Sequence, residues 1–170
     1  DYSQIIHDAR EAEDNDYYMI FSPAEDGKFT AIDGYSAEYE AGQLDDEVRS
    51  ILLPLLNLED DMYTDLAASI SAMMVRSYAV AIVKPAEGKT DAVKSALEAY
   101  VTSEQQSMEH YLEDQYQIAK NAKVDARLAA RRRRHLESAG SAELPRDGLP
   151  VPQPPQHLFV GCAGQRQRRR

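Results

Sequence analysis

The stretch from Ala68 to Val124 constrains the fold most, because its hydrophobic period changes from that of strands to that of a helix. Ala68 to Val75 carries Ile70, Ala72 and Met74 in alternation, and Ala79 to Val83 is an unbroken apolar run closed by Pro85. Arg76-Ser77-Tyr78 between them reads as a turn, so the two runs are expected to pair antiparallel. The second strand is expected to be central, since it is apolar on both faces. From Gly88 to Tyr111 the residues Val93, Leu97, Tyr100, Val101, Met108 and Tyr111 recur at helical spacing, a stripe wide enough to pack on a sheet. Thr90 and Asp91 suit its cap. Tyr116 to Val124 reads as a short helical turn leading to a strand. These elements predict an α+β domain: an antiparallel sheet with one long amphipathic helix on a face. Leu97, Tyr100, Val101, Val80, Ile82 and Met74 are expected at its centre.

The first half is less regular. Ile5, Ile6, Ala9 and Ala12 share a face and predict a short helix within residues 2–13. Tyr17-Tyr18-Met19-Ile20-Phe21, ended by Pro23, and Phe29-Thr30-Ala31-Ile32, closed by Asp33-Gly34, predict a hairpin around the Asp26-Gly27 turn. Asp45 to Leu58 opens with acids and continues through Val48, Ile51, Leu52, Leu55 and Leu56, so a helix kinked or broken at Pro54 is expected.

Charge divides the chain of 170 residues into two compositions. Residues 1–124 hold 25 Asp+Glu against 9 Lys+Arg, a net of −16, with all ten Tyr and all six Lys. Residues 125–170 hold 10 Arg against 4 Asp+Glu, a net of +6, with five of the eight Pro. The expected organisation is one domain over 1–124 and a basic Arg/Pro-rich tail over 125–170, disordered or out of frame. The acidic part should be repelled by nucleic acid and by anionic membranes. No apolar run reaches the roughly 18 residues that span a bilayer. The chain begins at Asp1, so an upstream piece is expected to have been removed. Cys162 stands alone, which excludes an intrachain disulfide and a cysteine zinc site.

Ser69 to Val75, Tyr78 to Lys89, Val93 to Tyr100, and Tyr111-Leu112-Glu113-Asp114-Gln115-Tyr116-Gln117-Ile118-Ala119-Lys120-Asn121-Ala122-Lys123 together resemble a domain-of-unknown-function family of clostridial-type (Firmicutes) extracytoplasmic lipoproteins. The likeness covers about residues 60–124. The resemblance implies a strand pair, a long helix with glutamines, a Tyr-Leu-Pro-x-Gln-Tyr motif and a final strand. It also implies an exported domain held at the outer face of the cytoplasmic membrane by a lipid-modified cysteine upstream. It brings no catalytic residues. Glu113 stands where the family has proline. Arginine-rich sequence stands where the final strand should follow Val124. Arginine codons CGN read one base later give GNC, for Val, Ala, Asp or Gly, so a frame shift near residues 124–130 would produce such a tail. An intact single frame in the source gene would exclude it.

The motifs that carry chemistry fail individually. Gly88-Lys89-Thr90 lies between strand and helix, but a phosphate loop needs glycine where Val83 stands. Asp14-Asn15-Asp16 and Glu59-Asp60-Asp61 supply hard oxygens, but the calcium-loop glycine position holds Met19. His7, His110, His135 and His157 lack metal spacing, and Ser69, Ser71 and Ser77 lack a nucleophile-elbow setting. Arg131 to Arg134 and Arg168 to Arg170 have no aromatic interleaving for base stacking. Tyr17, Tyr18, Tyr35, Tyr39 and Tyr63 could present rings at a recognition surface. No catalytic, cofactor-binding or metal residue is assigned. The expected function is a non-enzymatic binding or interaction module for a protein or small ligand, membrane-associated only through its missing anchor. A small hydrolase or cation- or ligand-binding domain using the acidic clusters is one alternative, and nucleic-acid binding through the tail, although unfavoured, is the other.

Overall fold

The structure, a computed structural model, describes residues 1–40, 42–71, 73, 75–128 and 156–162. Its helices are α1 (Tyr2–Ala9), α2 (Ala12–Tyr17), α3 (Gln43–Glu47), α4 (Leu53–Leu55), α5 (Thr90–Met108) and α6 (Glu113–Lys120). The strands β1 (Ile20–Pro23), β2 (Phe29–Ile32), β3 (Tyr63–Ile70), β4 (Ala79–Pro85), β5 (Lys123–Leu128) and β6 (Gln156–Cys162) form one sheet in the order β2-β1-β3-β4-β6-β5. Every neighbouring pair is antiparallel. This is the α+β architecture expected from the period change, with β4 in the interior of the sheet.

Strand parity decides which residues meet α5. Leu66, Ala68 and Ile70 of β3 pair with Val83, Ala81 and Ala79 of β4, and all six belong to the main core with Leu97, Tyr100 and Val101. Ala67 pairs with Ile82 and Ser69 with Val80 on the opposite face. There Ile6, Ile20, Ala67 and Ile82 make a second buried cluster, with Val80 packed against it. Val80 and Ile82 are therefore not under the long helix. In a strand apolar on both faces the alternation cannot say which set faces which layer. Met74 lies outside the described residues.

The second cluster exists because α1 covers the other face. Asp1 accepts the Ser3 N–H at 2.9 Å and caps it. Ile6 is buried while Ile5 is exposed. Arg10, in extended backbone, breaks the expected 2–13 helix, and α2 then absorbs Tyr17 from the predicted strand.

The region around Pro54 takes a wide turn. Val48–Leu52 adopts π-helical hydrogen bonding between α3 and α4. Proline lacks the N–H and crowds the carbonyl four residues back, and a wider turn accommodates both defects. The extra residue rotates the apolar face: Val48, Leu52, Leu53 and Leu56 are buried, while Ile51 and Leu55, expected inside, are exposed.

Strand β3 begins at Tyr63 and ends at Ile70, earlier than the alternation around Met74 predicted. It pairs along the whole of β4, in one register from Asp65↔Lys84 to Ile70↔Ala79, with a bulge between Tyr63 and Asp65. The connection over residues 71–78 joins the two strands and is closed by the Ser71 N–H donating to the Tyr78 carbonyl at 2.9 Å. Tyr111 lies beyond α5 and is exposed. Lys89 holds the cap position of α5 with no side-chain cap from Thr90 or Asp91.

The composition changes at residue 125, within β5. β5 crosses this point, since Val124, Ala126 and Leu128 alternate with Lys123, Asp125 and Arg127 as a strand requires. The apolar island Leu158-Phe159-Val160 lies in β6, seated between β4 and β5. Two stretches of the segment expected to lack regular structure are thus strands. Pro145, Pro150, Pro152, Pro154 and Pro155 precede β6 and do not interrupt it. Arg131 to Arg134, His135 and Arg168 to Arg170 lie outside the described residues. No helix among the described residues is long and apolar enough to cross a membrane.

Candidate functional site

A buried cation organises one side of the sheet. Arg10, with its side chain 6% exposed, sits at the break between α1 and α2. Its guanidinium donates to Ser69 Oγ at 2.9 Å, Tyr78 Oη at 3.0 Å, the Tyr18 carbonyl at 2.6 Å, Asp33 Oδ2 at 3.1 Å, and Asn15 Oδ1. Asp33 also meets His7 Nδ1 at 2.8 Å. All five donors of the guanidinium have a place in such a fork, so Arg10 ties α2, the hairpin end, β3 and the 71–78 connection to one point.

Above it Tyr18 and Tyr78 stack, ring centroids 3.9 Å apart and planes 7° from parallel. Burial pushes the Tyr78 phenol above its ordinary range, although the hydrogen bond from Arg10 opposes this. The stacked pair lines a cleft of about 610 Å³, a size that suits a small molecule. One wall is α2 with the residue before it, and contributes Glu11, Glu13, Asp14 and Tyr17. The other is residues 76–78, at the end of the connection, with α6. Arg76 on that side donates to Tyr18 Oη at 3.2 Å. Gln115 accepts the Ser77 N–H at 3.0 Å and donates to Asp114 Oδ2 at 3.0 Å. Glu113 opens α6, the first helical position, where proline is also well suited. Two residues on, Gln115 is delivered into the cleft.

Ser77 also lines the cleft and is 3% exposed, with a hydroxyl that makes no hydrogen bond of ordinary geometry. It leans towards the half-buried carboxyl of Glu104. Burial raises that group above the usual carboxylate range, and the nearby hydroxyl only partly offsets the shift. A raised carboxyl binds its proton more readily in the folded than in the unfolded state. Its cost is absent below the unfolded value and complete above the folded one. Glu104→Gln is therefore expected to raise the midpoint of urea unfolding at pH 7 and to leave it unchanged near pH 3. Equal effects at both pH values would contradict the assignment.

The acidic groups singled out in the sequence do not converge. Asp60 is held by Arg49 at 2.8 Å and by Tyr63 Oη at 3.0 Å, and Asp61 by Lys89 at 2.9 Å. The lysine of the Gly88-Lys89-Thr90 turn is thus engaged in that pair. Arg49 also bridges Asp45 and the Gly27 carbonyl, so this group fastens the hairpin turn to the helical segment. The Phe29 N–H and then Arg49 hold the Asp45 carboxyl below its ordinary range. Among the described residues no three His, Cys, Asp or Glu side chains gather for a metal ion. His110 is exposed. Tyr17 and Tyr35 are exposed, while Tyr18, Tyr39 and Tyr63 are partly buried. A second concavity of about 650 Å³, between the hairpin turn and residues 36–44, opens broadly to solvent. Beside it Tyr39 donates to Glu47 at 2.7 Å.

Arg10, Arg76, Tyr78 and Gln115 were not legible as site residues. They come from three separate parts of the chain, and an isolated arginine or tyrosine has no spacing signature. Tyr17 and Tyr18, as candidate recognition rings, and Asp14, as one of the candidate oxygens, were singled out, and Ser77 was weighed as a nucleophile and set aside.

Fold and cleft define a small antiparallel α+β domain with an aromatic-floored, polar pocket at one end of its sheet. The chain belongs to a family described as Domain of unknown function (DUF4358), whose model matches residues 36–127, more than half of the sequence. The matched span holds the 71–78 connection and Gln115, while Arg10 and the α2 wall precede it. No curated protein and no solved structure matches.

Proposed function

We propose that this chain is the binding domain of an exported, membrane-anchored protein, and that it holds a small ligand in the cleft between α2 and the 71–78 connection without chemistry of its own. One observation carries the reading. The cleft floor is preorganised from below by a buried guanidinium that touches both stacked tyrosines, at the Tyr78 phenol and the Tyr18 carbonyl. Preorganisation of this kind lowers the ordering cost that binding must otherwise meet. A hydrolase reading needs a base within reach of a nucleophile. Ser77, the serine at the cleft, leans towards the Glu104 carboxyl but makes no hydrogen bond of ordinary geometry with it. The extracytoplasmic placement is supported by the resemblance to lipoprotein domains.

Two measurements test the two halves. A fragment library of polar and aromatic compounds, followed by NMR of tyrosine ring signals, should produce shifts concentrated on Tyr17, Tyr18 and Tyr78. Absence of any such compound would end the binding reading. Labelling cells with a radioactive fatty acid should mark the full-length gene product in the membrane fraction, and an unlabelled cytosolic product would end the placement.

A further inference from the structure

We infer that the cleft takes a small zwitterionic amine, of which a free amino acid with a basic side chain is the simplest example. The inference rests on the binding reading above and assigns its ligand class. The two walls carry opposite charge. Arg76 stands on the connection side, and its one side-chain hydrogen bond among the described residues, to Tyr18 Oη, uses one of five guanidinium donors. A carboxylate is the group that a guanidinium fork matches best, through two parallel hydrogen bonds. Glu11, Glu13 and Asp14 stand on the opposite wall. Acids in the first turn of a helix have a structural role in offsetting the helix dipole. Here the same acids also line the pocket, and Asp14 acts on the phenol of Tyr78 across the cleft. Glu11 and Asp14 against the one guanidinium of Arg76 favour a ligand with more ammonium than carboxylate. Tyr17, 63% exposed at the rim, offers a ring face of the kind that attracts an ammonium group. Buried at the cleft lining, the Ser77 hydroxyl makes no hydrogen bond of ordinary geometry among the described residues.

The test uses the full chain and three probes of similar length. L-Lysine carries both groups, 1,5-diaminopentane keeps the ammonium groups and lacks the carboxylate, and glutarate carries carboxylates alone. Calorimetric titration at low ionic strength should show L-lysine binding at least about tenfold more tightly than the diamine, as one charge-assisted pair requires. Glutarate should not bind. Arg76→Gln should bring L-lysine down to the diamine's affinity, and Asp14→Asn should weaken both amines by about tenfold. Arg76 is exposed, and unchanged circular dichroism will show that each variant folds. Equal affinity for L-lysine and the diamine, or an Arg76→Gln variant indistinguishable from the parent, would overturn the inference. Silence from L-lysine while library fragments shift Tyr18 and Tyr78 would overturn the ligand class and leave the cleft a binding site. Silence from every compound would remove the binding reading itself.

Discussion

Arg10→Met is expected to lower the unfolding free energy by about 3–5 kcal/mol, the cost of breaking a buried ion pair by removing one partner. For a domain of this size that corresponds to a fall in melting temperature of roughly 10 °C. The reason is the number of groups left behind. Among the described residues Asp33, 15% exposed, keeps the His7 side chain alone, while the Tyr18 carbonyl and the Ser69 and Tyr78 hydroxyls lose the Arg10 donor. Leaving buried polar groups unsatisfied costs more than the hydrogen bonds contributed. Arg10→Met combined with Asp33→Asn should recover part of the loss, because the uncompensated charge is then gone. Thermal and urea unfolding of the three variants measure this. A loss below about 1 kcal/mol for the single variant would place the cation in a solvated site. The same variant should disturb the Tyr18–Tyr78 stack, so its ring signals report on the cleft as well.

Gly34→Ala is the second large effect, expected at about 2–5 kcal/mol from two sources. Its φ of +49° lies in the left-handed region, where a side chain costs about 1–2 kcal/mol. A Cβ there would also stand 2.6 Å from the Met19 nitrogen and 2.9 Å from the Tyr18 carbonyl carbon. Both are backbone atoms, so no flexible side chain can swing away. The Gly34 N–H donates to the Asn15 carbonyl at 2.8 Å, which locks the hairpin end against the exit of α2. Gly27→Ala is the internal control. Its φ is +81° and nothing lies within 4 Å of the added carbon, so only the backbone cost should remain. Equal destabilisation of the two variants would show that the close approach at Gly34 carries no energy.

The elements that the sequence made legible are those whose period is long or whose breaker is strong. The α5 stripe of Val93, Leu97, Tyr100 and Val101 spans several turns, and all four are buried. Pro85 closes β4, and Pro54 marks the place where regular α-helix gives way to a wide turn. The break at Arg10 was not legible, because nothing in Ala9-Arg10-Glu11-Ala12 is a helix breaker and the deciding contacts come from β3 and the 71–78 connection. The end of β3 at Ile70 was hidden for a similar reason. Local alternation continues to Met74, but pairing with a strand that starts at Ala79 stops earlier.

From sequence alone came an antiparallel α+β domain, its central strand, its long helix and the change of composition at residue 125. All of these depend on short-range periodicity and on residues that resist one backbone geometry. Tertiary structure alone decided that α1 covers the second face of the sheet, that Val80 and Ile82 turn towards it, and that strands lie on the far side of the composition boundary. It alone assembled the cleft, because a buried guanidinium draws its partners from wherever the chain brings them, and the sequence separation of those partners carries no signal of their meeting.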